Sequence, residues 1–188
     1  KKIAVNPRIC IIHHPSPRNI GVCYREGRDH AKMEYCVMIQ GDNVFTEETL
    51  IGVFSEVGKT DFICTCWKNP EIRSWPRRLI SAGYTGVLNF MLRENMRYYN
   101  GMQIHRTDFI RNANLESKTP FLCSEMLFKA SALSLRIKEI GIPYLPRRGG
   151  KATGGNPNLI WKYLRDVFHF WFRWQVMHQP VVDPVLER

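Results

Sequence analysis

Short apolar runs separated by helix-like segments make up the first third of the chain. Residues 8–13 (RICIIH), 35–39 (YCVMI) and 61–67 (DFICTCW) are rich in residues that suit strands. The run at 35–39 is continuous enough for a strand buried on both faces of a parallel sheet. Helices are expected between these runs, over 20–31 and from Thr46, a typical N-cap. This order, with short connections, predicts an α/β fold with a parallel sheet and right-handed crossovers.

The rest of the chain carries a looser version of the same pattern. A long helix is predicted over 79–92, a short strand follows the Asn-Gly turn at 100–101, and a helix covers 123–135. Residues 138–145 are strand-like but contain glycine and proline, which suits a sheet edge. A last helix is predicted over 159–175. With 188 residues, the chain is long enough for one domain with a substantial core.

The last predicted helix combines an apolar stripe with a polar face. The stripe consists of Ile160, Leu164, Val167, Trp171 and Trp174, widened by Tyr163, Phe168 and Phe170. The opposite face carries Lys162, Asp166, His169 and Arg173. Such a helix can lie in a membrane interface or pack on the protein core, and the sequence leaves both interpretations open. We therefore divide the chain into a domain over 1–157 and a helical segment with a tail over 158–188.

Positive charge narrows the choice of partner. Lys and Arg number 27 against 17 Asp and Glu, a net charge of +10, which suggests nucleic acid, a nucleotide phosphate or anionic lipid. Six cysteines without zinc-site spacing favour reduced thiols in the cytoplasm. Neither a signal peptide nor a membrane-spanning apolar run is evident. The start at KKIAV, without Met, suggests that an N-terminal portion precedes this segment.

Small polar and acidic residues directly follow the apolar run at 35–39. Gln40, Gly41, Asp42 and Asn43 would lie outside the carboxyl end of a strand, where ligands bind in open α/β sheets. A carboxylate there could hold a divalent metal ion that in turn holds phosphate oxygens. The alternative is a simple turn, because glycine, aspartate and asparagine all favour turns.

A basic loop and a single acid add further candidate residues. Arg73, Arg77 and Arg78 follow the third apolar run and could clamp a phosphate, or they could form an ordinary solvated loop. Glu125 stands near a predicted helix start. It either takes part in chemistry or places a favourable charge on the helix dipole.

A second basic loop contains two glycines between its cations. Arg147, Arg148 and Lys151 surround Gly149 and Gly150, so the loop could act as a lid over a phosphate-bearing ligand. The spacing is not that of a Walker phosphate-binding loop. A surface loop without a ligand is the alternative.

Six segments, in the same order, resemble family 2 glycosyltransferases with the GT-A fold, especially the branch that makes polyprenyl-phosphate (dolichyl-phosphate) sugars. In that branch a strand ends in an Asp-x-Asp-type motif, and five further characteristic segments follow it along the chain. The corresponding segments here are QGDN at 40–43, RRLISAGY at 77–84, NGMQIHR at 100–106, SEML at 124–127, IP at 142–143 with RRGGK at 147–151, and WKYLRD at 161–166.

The resemblance implies a mixed, mostly parallel sheet flanked by helices, with a C-terminal amphipathic helix. It implies transfer of a sugar from a nucleotide-sugar donor, with inversion, to a polyprenyl phosphate or another acceptor. Mg²⁺ or Mn²⁺ is the implied cofactor, and a membrane surface is an implied partner. The implied location is cytoplasmic, with peripheral attachment to a membrane.

The resemblance also implies roles for individual residues. The implied catalytic residues are Asp42, which would hold the metal, Glu125, which would be the base for a hydroxyl acceptor, and Arg148. The implied substrate-binding residues are Gln40, Asn43, Arg77, Arg78, Arg147 and Lys151.

The sequence departs from the pattern at Gln40, which replaces the first acid of the motif. Metal binding would then rest mostly on Asp42. A catalytically degenerate GT-A-like domain that binds a partner or a membrane is therefore the alternative function. Nucleic acid is not expected as a partner, because no recognition motif accompanies the charge. The resemblance further implies that the first strand and the nucleotide-base loop would precede Lys1.

Overall fold

A computed structural model describes residues 6–39, 41, 44–143, 145, 157–178 and 180. The helices are α1 (Ile20–His30), α2 (Glu47–Phe54), α3 (Trp75–Leu92), α4 (Thr107–Asn112), α5 (Phe121–Ala132) and α6 (Pro157–Gln175). The strands are β1 (Tyr35–Val37), β2 (Phe62–Trp67), β3 (Gln103–Arg106) and β4 (Ile137–Ile142). A short 3₁₀ helix over Pro70–Ile72 precedes α3. Helices and strands are mixed along the chain, as predicted for an α/β protein.

The strands form one mixed sheet in the order β1-β3-β2-β4. β2 and β4 pair in parallel, whereas β3 pairs antiparallel with both β1 and β2. β1, β2 and β4 therefore point in one direction, and β3 points in the other. This arrangement confirms the mixed sheet that the resemblance implies. The antiparallel β3 departs from the parallel sheet that the order of the first elements predicts, because a short strand after a tight turn can pair with either direction of neighbour.

The pairing of β1 differs from the prediction for its apolar run. Its three residues are half-buried, and the strand pairs only with the antiparallel β3, where Cys36 lies opposite His105. The prediction of a strand buried on both faces of parallel neighbours was wrong. An apolar run suits a covered edge strand as well as a central one, and the run does not reveal which distant segment pairs with it.

Residues 8–13 are also not a strand. The structure gives them no strand pairing, and Ile9, Ile11 and Ile12 are 41–59% exposed. Pro7, Pro15 and Pro17 surround the segment, and proline removes the backbone donor that a sheet needs.

Two apolar layers cover the two faces of the sheet. On one face, Phe62 and Cys64 of β2 join a large cluster with residues of α1, α3, α4, α5 and α6. On the other face, Ile63 and Ile104 join a smaller cluster with Val53 of α2. The alternation along β2 follows from the two-residue period of a strand. Near the end of β2, Cys66 lies toward α3 and Trp67 packs against the smaller cluster on the other face.

Helix α3 begins four residues earlier than predicted. Pro76 lies in its first turn, where a missing N–H costs nothing, and this position extends the helix back to Trp75. Leu88 and Leu92 are buried, but Leu79, Ile80 and Val87 are exposed. The apolar residues of α3 therefore lie on two sides of the helix, and only one of these sides packs against the core.

Helix α6 packs on the core and also presents apolar residues outward. Val167 is buried, and the Phe170 and Trp174 rings contact Phe128 with centroid separations of 5.3 and 4.6 Å. On the outward side, Phe168 is 57% exposed. The helix thus combines features of both sequence interpretations. The division of the chain at residues 157 and 158 stays a prediction.

Candidate functional site

A cavity of about 830 Å³ lies at the carboxyl end of β2. Its floor includes Cys66 and Trp67, the last two residues of the strand. Three arginines line it, Arg73, Arg78 and Arg97, and no acidic residue is among its described lining residues. A group of guanidinium groups favours an anionic ligand, and their planar forks suit phosphate oxygens.

Helix α3 forms one wall of the cavity and positions Arg78. The helix begins after Ser74, whose carbonyl accepts a hydrogen bond from the Arg78 N–H at 3.1 Å. Ser81, Ala82, Thr85 and Gly86 continue the wall along the same side of the helix. Because their side chains are small, they leave the volume between α3 and the end of β2 open.

The third arginine comes from a segment held against α3 by a side-chain amide. The Asn89 amide donates to the carbonyl of Met96 at 3.0 Å, and its oxygen accepts from the Met96 N–H at 3.0 Å and from the Tyr99 hydroxyl at 2.8 Å. The Arg97 N–H donates to Glu139 Oε1 at 2.9 Å. These bonds fix the backbone next to Arg97, whose side chain lines the cavity.

The Cys66 thiol in this cavity stays protonated at neutral pH. Burial raises its pKa, and the negative charge of Glu139 raises it further, while a hydrogen bond from Arg97 opposes both. A protonated, buried thiol is a poor nucleophile. Cys66 is therefore a neutral part of the wall.

Glu125 lies outside the cavity lining and is fully buried on α5. Its carboxylate accepts the backbone N–H groups of Glu116 and Ser117, both at 2.9 Å, and pairs with Lys129 Nζ at 3.1 Å. Lys129 also donates to the carbonyl of Asn114. The pair therefore anchors the loop between α4 and α5. The catalytic role of Glu125 stays a prediction.

The structure separates the two neighbouring arginines of the RRLISAGY segment. Arg78 lines the cavity, whereas Arg77 is half-buried and is not among the lining residues. Gln40, Asp42 and Asn43 lie outside the described residues, as do Arg147, Arg148 and Lys151. The roles predicted for these six residues, and the substrate-binding role of Arg77, stay predictions.

A metal site is not formed by the described part of the chain, which contains no group of three His, Cys, Asp or Glu side chains that could hold an ion. Asp42, the predicted ligand, lies beyond that part. The described residues therefore show no arrangement of ligands for a bound metal ion. The described helices likewise include none that is long and apolar enough to cross a membrane.

Sequence reasoning missed Arg97 and Trp75 as lining residues. Arg97 lies about twenty residues beyond the basic loop and reaches the cavity only because Asn89 holds its segment. Its sole signal was a cation next to two tyrosines. Trp75 was assigned to a loop, since proline at position 76 looked like a breaker rather than a first-turn residue.

Known structures with a similar fold include two of glucosyl-3-phosphoglycerate synthase from Mycobacterium tuberculosis, one with UDP and one with Mg²⁺ and UDP. Each matches with a TM-score of 0.62, covering 83% of this chain and 56% of the synthase, at 9% sequence identity. The fold is of the GT-A type. This chain thus spans about half the length of those synthase chains. No sequence family and no curated protein matches the chain.

Proposed function

We propose that this chain belongs to a glycosyltransferase that uses a nucleotide-sugar donor. The observation that carries the proposal is the cavity at the carboxyl end of β2, which is lined by three arginines, Arg73, Arg78 and Arg97. The GT-A fold supports it, because the similar synthase structures hold UDP. Three cations at a strand end match the phosphoryl oxygens of a donor or of a phosphorylated acceptor.

The proposed reaction is a single displacement at the anomeric carbon. An acceptor oxygen forms a bond to that carbon while the bond to the donor diphosphate breaks, so the sugar is transferred with inversion. Negative charge grows on the departing nucleoside diphosphate. The arginines that line the cavity would stabilise this charge.

A phosphate acceptor suits the site better than a hydroxyl. A hydroxyl needs a general base within hydrogen-bond reach, and both carboxylate oxygens of Glu125 are held by Glu116, Ser117 and Lys129. A phosphate is already an anion at neutral pH and needs no base. This supports a phosphate acceptor. The polyprenyl chain of that acceptor and the assignment to family 2 are proposed from the sequence resemblance alone.

The metal requirement is proposed from the resemblance and from the synthase structure that holds Mg²⁺ and UDP. Asp42 would provide the ligand, with Gln40 beside it. A bound Mg²⁺ or Mn²⁺ would neutralise part of the charge on the donor diphosphate.

Peripheral attachment to a membrane is proposed from the outward side of α6, and a cytoplasmic location is proposed from the free cysteines. Trp161, Phe168 and Phe172 are 70%, 57% and 41% exposed, and Lys162 and Arg165 lie near them along the helix. Aromatic and cationic side chains together are typical of helices that lie in a membrane interface. Trp174 does not belong to this surface, because it packs on Phe128.

The experiment that tests the proposed function measures nucleoside diphosphate release. The protein is incubated with a panel of nucleotide sugars, Mg²⁺ or Mn²⁺, and a short-chain polyprenyl phosphate. We expect release with one donor that depends on the acceptor. Binding of a donor or of UDP without any release would instead favour the degenerate binding domain.

A further inference from the structure

Helix α3 presents an apolar surface to solvent along its whole length. Trp75 is 70% exposed, Leu79 61%, Val87 41% and Phe90 86%. At 3.6 residues per turn, these four side chains fall within about a third of the helix circumference. We call them the α3 apolar face. Isolated exposed apolar residues are common, but a helical stripe that contains two aromatic rings marks an interaction site.

Within the described part of the chain, no other element covers this face. Leu88 and Leu92, on the opposite side of the helix, are buried and hold α3 to the core. Gly83 and Gly86 lie among the exposed residues, and no atom lies within 4 Å of where a Cβ would stand on either glycine. Helix α3 is therefore attached to the core on one side, and the α3 apolar face is exposed to solvent on the other.

The α3 apolar face continues into the arginine-lined cavity. Trp75 and Leu79 line the cavity and are at the same time two of the most exposed apolar side chains of the helix. The cavity mouth is thus bordered by the face, with Arg78 inside it. A ligand with an anionic head and an apolar tail would fit this arrangement, with its head at the arginine and its tail along the helix.

Charge decides which partner suits the surface. Between Trp75 and Leu92 the helix carries two arginines and no acidic residue, and Arg93 and Glu94 follow it. The chain as a whole carries +10. A second copy would bring an equal positive charge to the same face, whereas an anionic lipid surface attracts it.

We propose that the α3 apolar face seats in an anionic lipid bilayer, so that the arginine-lined cavity opens toward the lipid headgroups. Trp75 and Phe90 would enter the boundary between headgroups and acyl chains, and the arginines would contact lipid phosphates. This surface is separate from that on α6. The proposal does not require that the protein transfers sugars.

The test is co-sedimentation of the protein with vesicles, without any donor. Vesicles of phosphatidylcholine with phosphatidylglycerol are compared with phosphatidylcholine alone. The variants are Phe90→Glu and Leu79→Glu, and Ile51→Glu is the matched control, because Ile51 is 61% exposed on α2, which covers the other face of the sheet. We expect about tenfold weaker partition for each α3 variant, as for the loss of one large buried apolar group, and no change for the control.

Circular dichroism and thermal melting check that each variant is folded, and Phe90→Ser replaces Phe90→Glu if the charged variant is not. Partition equal to that of the unaltered protein would overturn the proposal. So would a loss that occurs only with Phe168→Glu on α6. Sedimentation velocity gives the last outcome: a dimer that Phe90→Glu dissociates, without vesicle binding, would assign the face to a second copy instead.

Discussion

Replacing Glu125 with glutamine separates an anchoring role from a catalytic one. In the structure the Glu125 and Lys129 side chains are 1% and 3% exposed, and their charges lie 3.1 Å apart. The substitution removes one charge and leaves the Lys129 ammonium buried without a carboxylate partner, with neutral acceptors such as the carbonyl of Asn114. It also turns one of the two acceptor oxygens into a donor, facing the N–H of Glu116 or Ser117.

The size of the effect follows from these contacts. Removing one partner of a buried ion pair costs about 3–5 kcal/mol, because the other charge is stranded. The lost acceptor adds about 1 kcal/mol. For a chain of this length, the melting temperature should fall by roughly 10–20 °C. Glu125→Gln with Lys129→Met removes the stranded charge, so the double variant should recover part of the stability lost in the single variant.

Urea unfolding of the two single variants and the double variant measures the coupling energy. We expect the two side chains to be coupled by at least about 2 kcal/mol. A Glu125→Gln protein that keeps the unfolding free energy of the unaltered chain but loses sugar transfer would refute the anchoring role. Glu125 would then be a catalytic residue, as the resemblance implies.

Two further predictions concern residues in and beside the sheet. His105 is fully buried and hydrogen-bonded to the Tyr24 hydroxyl at 2.7 Å, and burial lowers its pKa to about 4. Because the folded pKa lies below the ordinary value of about 6.5, stability should be complete above that pH and fall toward pH 4, by about 3 kcal/mol from this residue. Chemical unfolding at several pH values should show a smaller acid loss in His105→Gln than in the unaltered protein. Gly101→Ala should lower the unfolding free energy by about 1–3 kcal/mol, since a Cβ there would overlap the carbonyl oxygen of Thr65; an unchanged denaturation midpoint would show that β2 can shift to accept it.

The sequence was informative where local chemistry decides the structure. Thr46 caps α2, with its hydroxyl oxygen accepting the Thr49 N–H at 3.2 Å, as its position before two acids predicts. The apolar run at 61–67 was predicted as a strand, and it forms β2 over Phe62–Trp67. These features depend on a few neighbouring residues, and each has one dominant physical cause.

Pairing and exposure were not predictable in the same way. Nothing within the run at 35–39 shows that its partner would be His105 and its neighbours, about seventy residues away. Residue type does not separate the buried Leu88 of α3 from Leu79 and Phe90, which are among the most exposed apolar residues in the described chain. Arg97 joins the candidate site through contacts of Asn89, and no sequence motif records this.

The central claim is that the arginine-lined cavity at the end of β2 holds a phosphate of the substrates. It is tested most directly by comparing kcat/KM for nucleoside diphosphate release in Arg78→Ala and Arg136→Ala. Arg136 is an exposed arginine paired with Asp61 at the other end of the sheet, so its variant loses the same charge. We predict at least a tenfold loss for Arg78→Ala, as for one charge-assisted hydrogen bond, and little change for Arg136→Ala. Equal activity of the two variants would contradict the assignment of the cavity.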